Sequence, residues 1–446
     1  LSSLDIIVKA YDIRGVYPDE IDEEIVEKIG WAFADFTAAG RMVVGHDMRL
    51  SSDSLVRAFI KGVTQRGDDV IDIGLASTDM LYFASGKYKS PGAMFTASHN
   101  PPEFNGIKMC LANAAPVGEG TGLQEIKALA EREVFSPVLS KGVVTRGDVI
   151  DAFAEHVRSF VDPNNFLPLR IVIDCGNGMG GLVVPKVFDS LPFEVTPLYF
   201  ELDGSFPNHP ADPLQPENLR DLRDTLQRVG ADVGLAFDGD ADRVFLIDDR
   251  ARPLSGSTTT SLVAKGILAH NPREKVIHNL ICSRSVPEVI RECGGEPIRS
   301  RVGHSLIKEQ MAETGAIFAG EHSGHYYFRD NYRADSGLIA ALLILEQICL
   351  SGQSLSELRV PVERYHASGE VNFRVNDQKA VLDKVAEHCS DGELDYLDGV
   401  TVSYPNWWFN LRPSNTEPVV RLNLEANSPV LLDEKLPEIM SLLQEC

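Results

Sequence analysis

Three aspartates at alternate positions, Asp238, Asp240 and Asp242, stand in the turn Asp238-Gly239-Asp240-Ala241-Asp242-Arg243, between the apolar runs Val233–Phe237 and Val244–Ile247. Carboxylates at i, i+2 and i+4 repel one another unless a cation sits among them. Hard oxygen ligands suit Mg²⁺, which keeps positions free for water or a phosphate. An EF-hand also begins with alternate aspartates, but its sixth residue is glycine, where Arg243 stands here, and its flanks are helical rather than strand-like. A merely solvated acidic turn is the plain alternative, and the apolar strands on both sides count against it. This is the most specific local signal in the chain.

Three further polar stretches sit on predicted loops. Thr96-Ala97-Ser98-His99-Asn100-Pro101-Pro102 follows the apolar Ala93-Met94-Phe95 and puts hydroxyl, imidazole and amide groups on a rigid turn, with Lys108 just downstream. Alone it reads more readily as an Asx or capping turn, and a Ser-His hydrolase lacks its G-x-S-x-G context. Gly320-Glu321-His322-Ser323-Gly324-His325 offers carboxylate, hydroxyl and imidazole on a glycine-flanked loop, a cradle for adjacent sugar hydroxyls; no H-E-x-x-H zinc spacing is present. Arg412-Pro413-Ser414-Asn415-Thr416-Glu417-Pro418, with Arg421 beyond, has the makings of an oxyanion nest.

Such loops need elements to hold them apart from solvent and close to one another. Short apolar runs alternate with helical stretches in three places: residues 42–47, 54–65 and 69–73; then 170–174, a glycine-rich turn, a helix and 193–195; then 275–281, 286–293 and 296–298. This β–α–β rhythm predicts three α/β domains with largely parallel sheets. Beyond Val360-Pro361-Val362-Glu363 the pattern changes to alternation at 369–375, a helix near 380–388, a strand at 399–402 and a helix at 431–443, which predicts a smaller C-terminal α+β domain. The expected domains are 1–147, 148–250, 251–361 and 362–446, one polar stretch in each, arranged around a central cleft.

Composition bounds the partners. The 446 residues carry 43% hydrophobic and 24% charged side chains, ordinary for a globular chain, and a formal charge of −23. That field disfavours nucleic acid and anionic membranes, and it requires any phosphate site to concentrate arginine and lysine locally. The seven cysteines are scattered without a CxxC, as in a reduced protein. No basic region followed by an apolar stretch opens the sequence, and the most apolar run, 337–345, is too short to span a bilayer. A soluble, cytoplasmic protein with no obligate protein partner is expected.

Together and in this order, the four stretches resemble the α-D-phosphohexomutase family, and most closely its phosphomannomutase/phosphoglucomutase branch. The opening Lys9-Ala10-Tyr11-Asp12-Ile13-Arg14-Gly15 is also similar to that branch, and the likeness covers essentially the whole chain. The phosphoglucosamine mutase branch typically opens differently and has Gln where His322 stands. The resemblance implies reversible transfer of phosphate between the 1- and 6-positions of mannose or glucose phosphate, through a phosphoserine enzyme and a hexose 1,6-bisphosphate that also serves as activator. It implies Ser98 as the phosphorylated residue. One Mg²⁺ would be held by Asp238, Asp240, Asp242 and a phosphate oxygen on Ser98. Glu321, Ser323 and His325 would grip the sugar, with His99 also touching substrate. Arg412, Ser414, Asn415, Thr416 and Arg421 would hold the non-reacting phosphate. Arg14, Lys108 and Arg243 would lie by the transferring group, and His304 would contribute to the same cleft.

The chemistry asks for these parts. Phosphoryl transfer is catalysed mainly by positioning and electrostatic stabilisation, and a phosphoserine of nearly two negative charges meets another phosphate only if cations offset the repulsion. Water must be excluded, or the intermediate hydrolyses. The competing expectations are a phosphoglucosamine mutase, a metal-dependent sugar-phosphate phosphatase using the same aspartates, and, more distantly, a non-enzymatic interaction protein.

Overall fold

The computed structural model describes residues 3–132, 138, 140–414 and 419–444. They form four sheets. The first runs, edge to edge, through the strands Ile13–Val16, Phe104–Leu111, Gly92–Phe95, Arg41–His46, Asp69–Leu75 and Val144–Arg146, with Ala115–Pro116 paired to the second of these. The second runs Val244–Ile247, Val233–Phe237, Arg170–Asp174, Glu194–Leu198, and the third Glu296–Ser300, Lys275–Asn279, Phe318–Gly320, Tyr326–Phe328. The fourth, His366–Arg374, Val419–Ala426, Trp407–Pro413, Val400–Ser403 and Glu393–Asp395, is antiparallel throughout.

Parallel pairs joined by crossover helices make up most of the first three sheets, as the β–α–β rhythm predicts. Each, however, turns back on itself through an antiparallel pair: Gly92–Phe95 with Phe104–Leu111, Val233–Phe237 with Val244–Ile247, and Phe318–Gly320 with Tyr326–Phe328. That pair has one consequence for function. In all three sheets the polar stretch is the connection inside it, leaving the carboxyl end of a parallel strand, where open α/β sheets gather their ligands. The fourth stretch likewise connects Trp407–Pro413 to Val419–Ala426. One architectural position thus carries all four motifs.

Helix starts converge on the same loops. The helix Thr78–Tyr88, capped by the Ser77 side chain, begins against the aspartate turn, and its Thr78 N–H donates to the Asp240 carbonyl at 3.1 Å. The helix Gly337–Ser351 begins where a β-carbon on Gly337 would stand 2.7 Å from the Arg243 carbonyl carbon, so only glycine lets it approach. Helix N-termini carry partial positive charge, and here they point at a turn rich in carboxylates.

Gly337–Ser351 is apolar on nearly every face because it is buried on nearly every face, running through one core shared by the first three sheets. That is the physical meaning of the most apolar run in the sequence; among the described residues no helix is long and apolar enough to cross a membrane. The fourth sheet has a separate core, built on Phe409, Leu411, Val420, Leu422 and Leu424 under the helices Gln378–His388 and Pro429–Gln444. It meets the rest through polar contacts such as Arg284 to the Tyr404 carbonyl (3.1 Å) and Val302 N–H to Asp398 (3.2 Å).

Candidate active site

Ser98 is the centre of the first cluster. It is 5% exposed and adopts a left-handed backbone conformation (φ 49°), uncommon for a residue with a side chain. Its Oγ donates to Asp238 Oδ2 at 2.8 Å and accepts from Arg243 Nη2 at 3.1 Å, so the hydroxyl is already aligned between a carboxylate and a guanidinium from the second sheet. The approach of the two loops is made possible by Gly239, whose missing β-carbon would otherwise stand 2.3 Å from the Ser98 carbonyl oxygen.

The aspartates are buried: Asp238 and Asp240 are 0% and Asp242 1% exposed. Lys108, on the strand Phe104–Leu111, donates to Asp240 Oδ2 and Asp242 Oδ2, both at 2.6 Å, and Arg243 Nε donates to Asp238 Oδ2 at 2.8 Å. Thr78 Oγ1 donates to Asp240 Oδ2 at 2.6 Å. Three carboxylates face two cations, and the balance shows in their titration. Burial pushes Asp238 up to about 8 and raises Asp242 as well, whereas Asp240, against the pull of burial, is held below the usual carboxylate range by Lys108. Asp240 Oδ1 and Asp242 Oδ1 are buried without a hydrogen-bond partner. A carboxylate oxygen from each of the three lies within 4.8 Å of the others. Hard ligands, orphaned oxygens and one uncompensated negative charge fit a divalent cation.

Arg14 completes this cluster from the edge strand Ile13–Val16, donating to Asn100 Oδ1 at 2.6 Å and pairing with Asp12, with its Nε buried and unpartnered. His99 Nδ1 accepts from Arg243 Nη2, which fixes Nδ1 as the lone-pair nitrogen. Burial, then the Arg243 and Arg14 guanidiniums, hold the imidazole well below its ordinary pKa, so it is neutral.

The second cluster is the loop after Phe318–Gly320. Glu321, 2% exposed, accepts from Tyr327 Oη at 2.7 Å and from Asn279 at 3.4 Å, and burial raises its pKa. Ser323 Oγ lies 3.0 Å from His325 Nδ1. His325 connects this loop to the first cluster, since its ring, Asp242 and Asp335 each bring an atom within 4.8 Å of the other two.

The third cluster lies on the fourth sheet. Arg412 and Arg421 are direct cross-strand partners, an arrangement of like charges that is unfavourable unless an anion bridges them. Glu370, on His366–Arg374, does so, at 3.0 Å from Arg412 and 3.5 Å from Arg421. Arg421 Nη2 donates to Ser414 Oγ at 3.4 Å, and the Nε atoms of both arginines are buried and unpartnered. These groups line a cavity of about 1160 Å³ with Tyr11, Ser323 and Arg301; at Gln215 it adjoins a second cavity of about 470 Å³ that reaches His99 and Asn100.

The residues singled out in the sequence therefore fall into three clusters around one cleft. Asn415 and Thr416 lie outside the described residues, as does the side chain of His304, whose backbone opens the helix His304–Thr314. Sequence reasoning missed Thr78, Tyr327, Asn279, Asn100 and Glu370. Only Asn100 carried a local signal, its place in the same turn as Ser98.

A hydroxyl held in register with a cation-hungry carboxylate set, and a twin-arginine anion site lining the adjoining cavity, are the parts an intramolecular phosphotransferase needs. The chain's relatives agree. Sequence families described as phosphoglucomutase/phosphomannomutase alpha/beta/alpha domains I, II and III match residues 5–136, 150–251 and 255–365, and the family's C-terminal domain matches 370–441. The chain is 40% identical over 441 residues to the "Phosphohexose mutases" of Xanthomonas campestris pv. campestris, covering 98% of each. It is 39% identical over 449 residues to an Escherichia coli phosphomannomutase, again covering 98% of each. A crystal structure of a phosphoglucomutase/phosphomannomutase family protein from Burkholderia thailandensis superposes with a TM-score of 0.90 at 33% identity, covering 100% of this chain and 98% of that one. The chain belongs to the phosphoglucomutase/phosphomannomutase family.

Proposed function

We propose that this enzyme is a phosphomannomutase/phosphoglucomutase acting through a phosphoserine at Ser98. The observation that carries the reading is the Ser98 hydroxyl, buried and held 2.8 Å from Asp238 and 3.1 Å from Arg243. Its substrates are hexose phosphates, its activator a hexose 1,6-bisphosphate, and its working place the cytoplasm.

Asp238, Asp240 and Asp242 would hold Mg²⁺ together with a phosphate oxygen on Ser98. When bound, the ion would neutralise charge on the transferring phosphoryl group and favour its approach to a second phosphorylated molecule. The chain's own residues do the rest. In the first half reaction the P–Oγ bond of Ser98 breaks and a bond forms from phosphorus to the free sugar oxygen; one proton moves, net, from the sugar hydroxyl to Oγ. Arg243 Nη2, already aimed at Oγ, stabilises the charge that develops there as the bond lengthens. Lys108 and Arg14 offset the equatorial oxygens, and neutral His99 adds no charge but accepts a hydrogen bond. In the second half the other phosphate of the bisphosphate returns to Oγ.

Between halves the bisphosphate turns end for end. Arg412, Arg421 and Ser414 suit this, because guanidinium forks read the phosphate and not the carbon that bears it. Glu321, Ser323 and His325 would hold ring hydroxyls. If these are the 3- and 4-hydroxyls, C2 is unread, and glucose and mannose, which differ only there, are both substrates.

Coupled assays with mannose, glucose and glucosamine 1-phosphates, with and without Mg²⁺ and a trace of hexose 1,6-bisphosphate, test this. The expected result is bisphosphate-stimulated formation of mannose and glucose 6-phosphates, with kcat/KM values within about a hundredfold of each other. Stoichiometric release of inorganic phosphate would make the protein a phosphatase, and preference for glucosamine 1-phosphate would move it to the neighbouring branch.

A further inference from the structure

Arg49 lies in the turn after the strand Arg41–His46, apart from every motif described above, and is 2% exposed. Its guanidinium is spent on the backbone of the serine loop. Nη2 donates to the carbonyls of Ser98 (2.9 Å) and Asn100 (2.6 Å), and Nη1 to those of Pro101 (2.7 Å) and Phe104 (2.9 Å). The side chain is itself braced. Nε lies 3.2 Å from Asp47 Oδ2, and Asp47 Oδ1 accepts from the Ser52 hydroxyl at 2.6 Å and from the Arg49 N–H at 3.0 Å. On its other side the guanidinium stacks 5.2 Å from the ring centre of Phe206, which comes from the segment between the second sheet's strands.

A buried cation bound to four carbonyls is a costly feature that packing does not require. The loop explains it. Ser98 sits at a positive φ that disfavours a residue with a β-carbon, so the surroundings must over-determine that conformation. Collecting the carbonyls of residues 98, 100, 101 and 104 on one planar fork does this, and no lysine could, since an ammonium is a point donor with three hydrogens. The same bonds set polarity. A trans peptide holds its C=O and N–H antiparallel, so turning the Ser98 carbonyl toward Arg49 turns the His99 N–H away from it.

We propose that Arg49 is a positioning residue for phosphoryl transfer: by gathering four carbonyls of the loop it holds Ser98 Oγ in register with Asp238 and Arg243. This rests on the reading of Ser98 as the phosphoryl carrier. Arg49 touches no substrate, so its loss falls on kcat and leaves substrate binding alone.

The test uses the full chain with Arg49→Lys and the gentler Ser52→Ala, which loosens Asp47 behind the guanidinium. Rates are expressed per folded molecule, and Ser98 phosphorylation by glucose 1,6-bisphosphate is followed by peptide mass. Arg49→Lys is expected to lower kcat on the order of a hundredfold, with KM unchanged and Ser98 labelling slowed by the same factor. Ser52→Ala is expected to lower both by roughly fivefold. A residue that only supports the fold would lower Tm and the folded fraction without changing either rate per folded molecule, and that result overturns the proposal. If Arg49→Lys does not fold, Ser52→Ala decides alone: unchanged kcat and labelling reject the assignment. A wild type that turns over with Ser98 never labelled overturns the phosphoserine reading and this proposal with it; a normally labelled wild type with unaffected variants overturns this proposal alone.

Discussion

Gly239 and Ser98 touch backbone to backbone: a β-carbon placed on Gly239 would lie 2.3 Å from the Ser98 carbonyl oxygen. The neighbour is main chain, itself bound to Arg49, and has no rotamer through which to yield. Gly239→Ala is therefore expected to part the two loops. The Ser98–Asp238 hydrogen bond lengthens and kcat falls by about a hundredfold, a typical cost of ångström-scale misplacement. Steady-state kinetics on the folded variant, with a modest change in Tm as control, checks it.

The three buried aspartates predict a cation-dependent fold as well as a cation-dependent activity. Burial raises Asp238 to about 8, and the neighbouring Asp242 and Asp240 carboxylates add to the rise against Arg243 and Lys108. A ligand present at a hundred times its Kd stabilises by about 2.7 kcal/mol, which amounts to a few degrees in Tm. Thermal melts should shift upward with Mg²⁺ and return with chelator, and Asp242→Asn should abolish the shift. Activity should follow the same titration.

Glu370 is an internal competitor for the phosphate site. It occupies both arginines when no phosphate does, at 3.0 and 3.5 Å, and so weakens the grip on an intermediate that must let go to turn round. Glu370→Gln should tighten hexose 1,6-bisphosphate binding by several-fold and lower kcat, because release slows. Arg421→Ala should raise KM by roughly 10- to 100-fold, the loss of a charge-assisted pair worth about 1.5–3 kcal/mol. Bisphosphate binding by calorimetry and a KM comparison separate the two.

Much of this arrangement is legible in the chain because it is local. Alternate aspartates between apolar strands, a hydroxyl-imidazole-amide run before two prolines, and arginines beside a Ser-Asn-Thr turn announce their chemistry within six or seven residues. The β–α–β rhythm and the alternation that follows it place them on three α/β domains and a smaller C-terminal one, and the apolar run 337–345 reads as too short to span a membrane. What the chain hides is contact across distance. Thr78 and Asp240 are 162 positions apart and Glu370 and Arg412 42 apart, and nothing in either member of those pairs names the other. Arg49 is harder still, because it acts on backbone carbonyls that carry no identity at all. The antiparallel return in each α/β sheet escapes periodicity for a similar reason: strand direction is decided by the hairpin, and the hairpins here are the functional loops.

His278 sits inside the third sheet, next to Asn279, which holds Glu321. Burial lowers its pKa to about 4. The unfolded chain takes up a proton near 6.5 and the folded one does not until about 4. The unfolded state thus binds more protons between those values, and stability falls as pH drops through this window. The contribution is about 3 kcal/mol, complete above pH 6.5 and lost by pH 4. Urea denaturation of His278→Gln across that range should show a shallower acid slope than wild type, whatever its absolute stability.

The most direct test follows Ser98 itself. Active enzyme is charged with hexose 1,6-bisphosphate, quenched, and digested, and the peptide bearing Ser98 is weighed; excess hexose monophosphate is then added to a parallel sample. The account predicts a gain of about 80 Da on Ser98 that the monophosphate discharges at the rate of turnover. An enzyme turning over at full rate with that peptide never heavier than unmodified would contradict it.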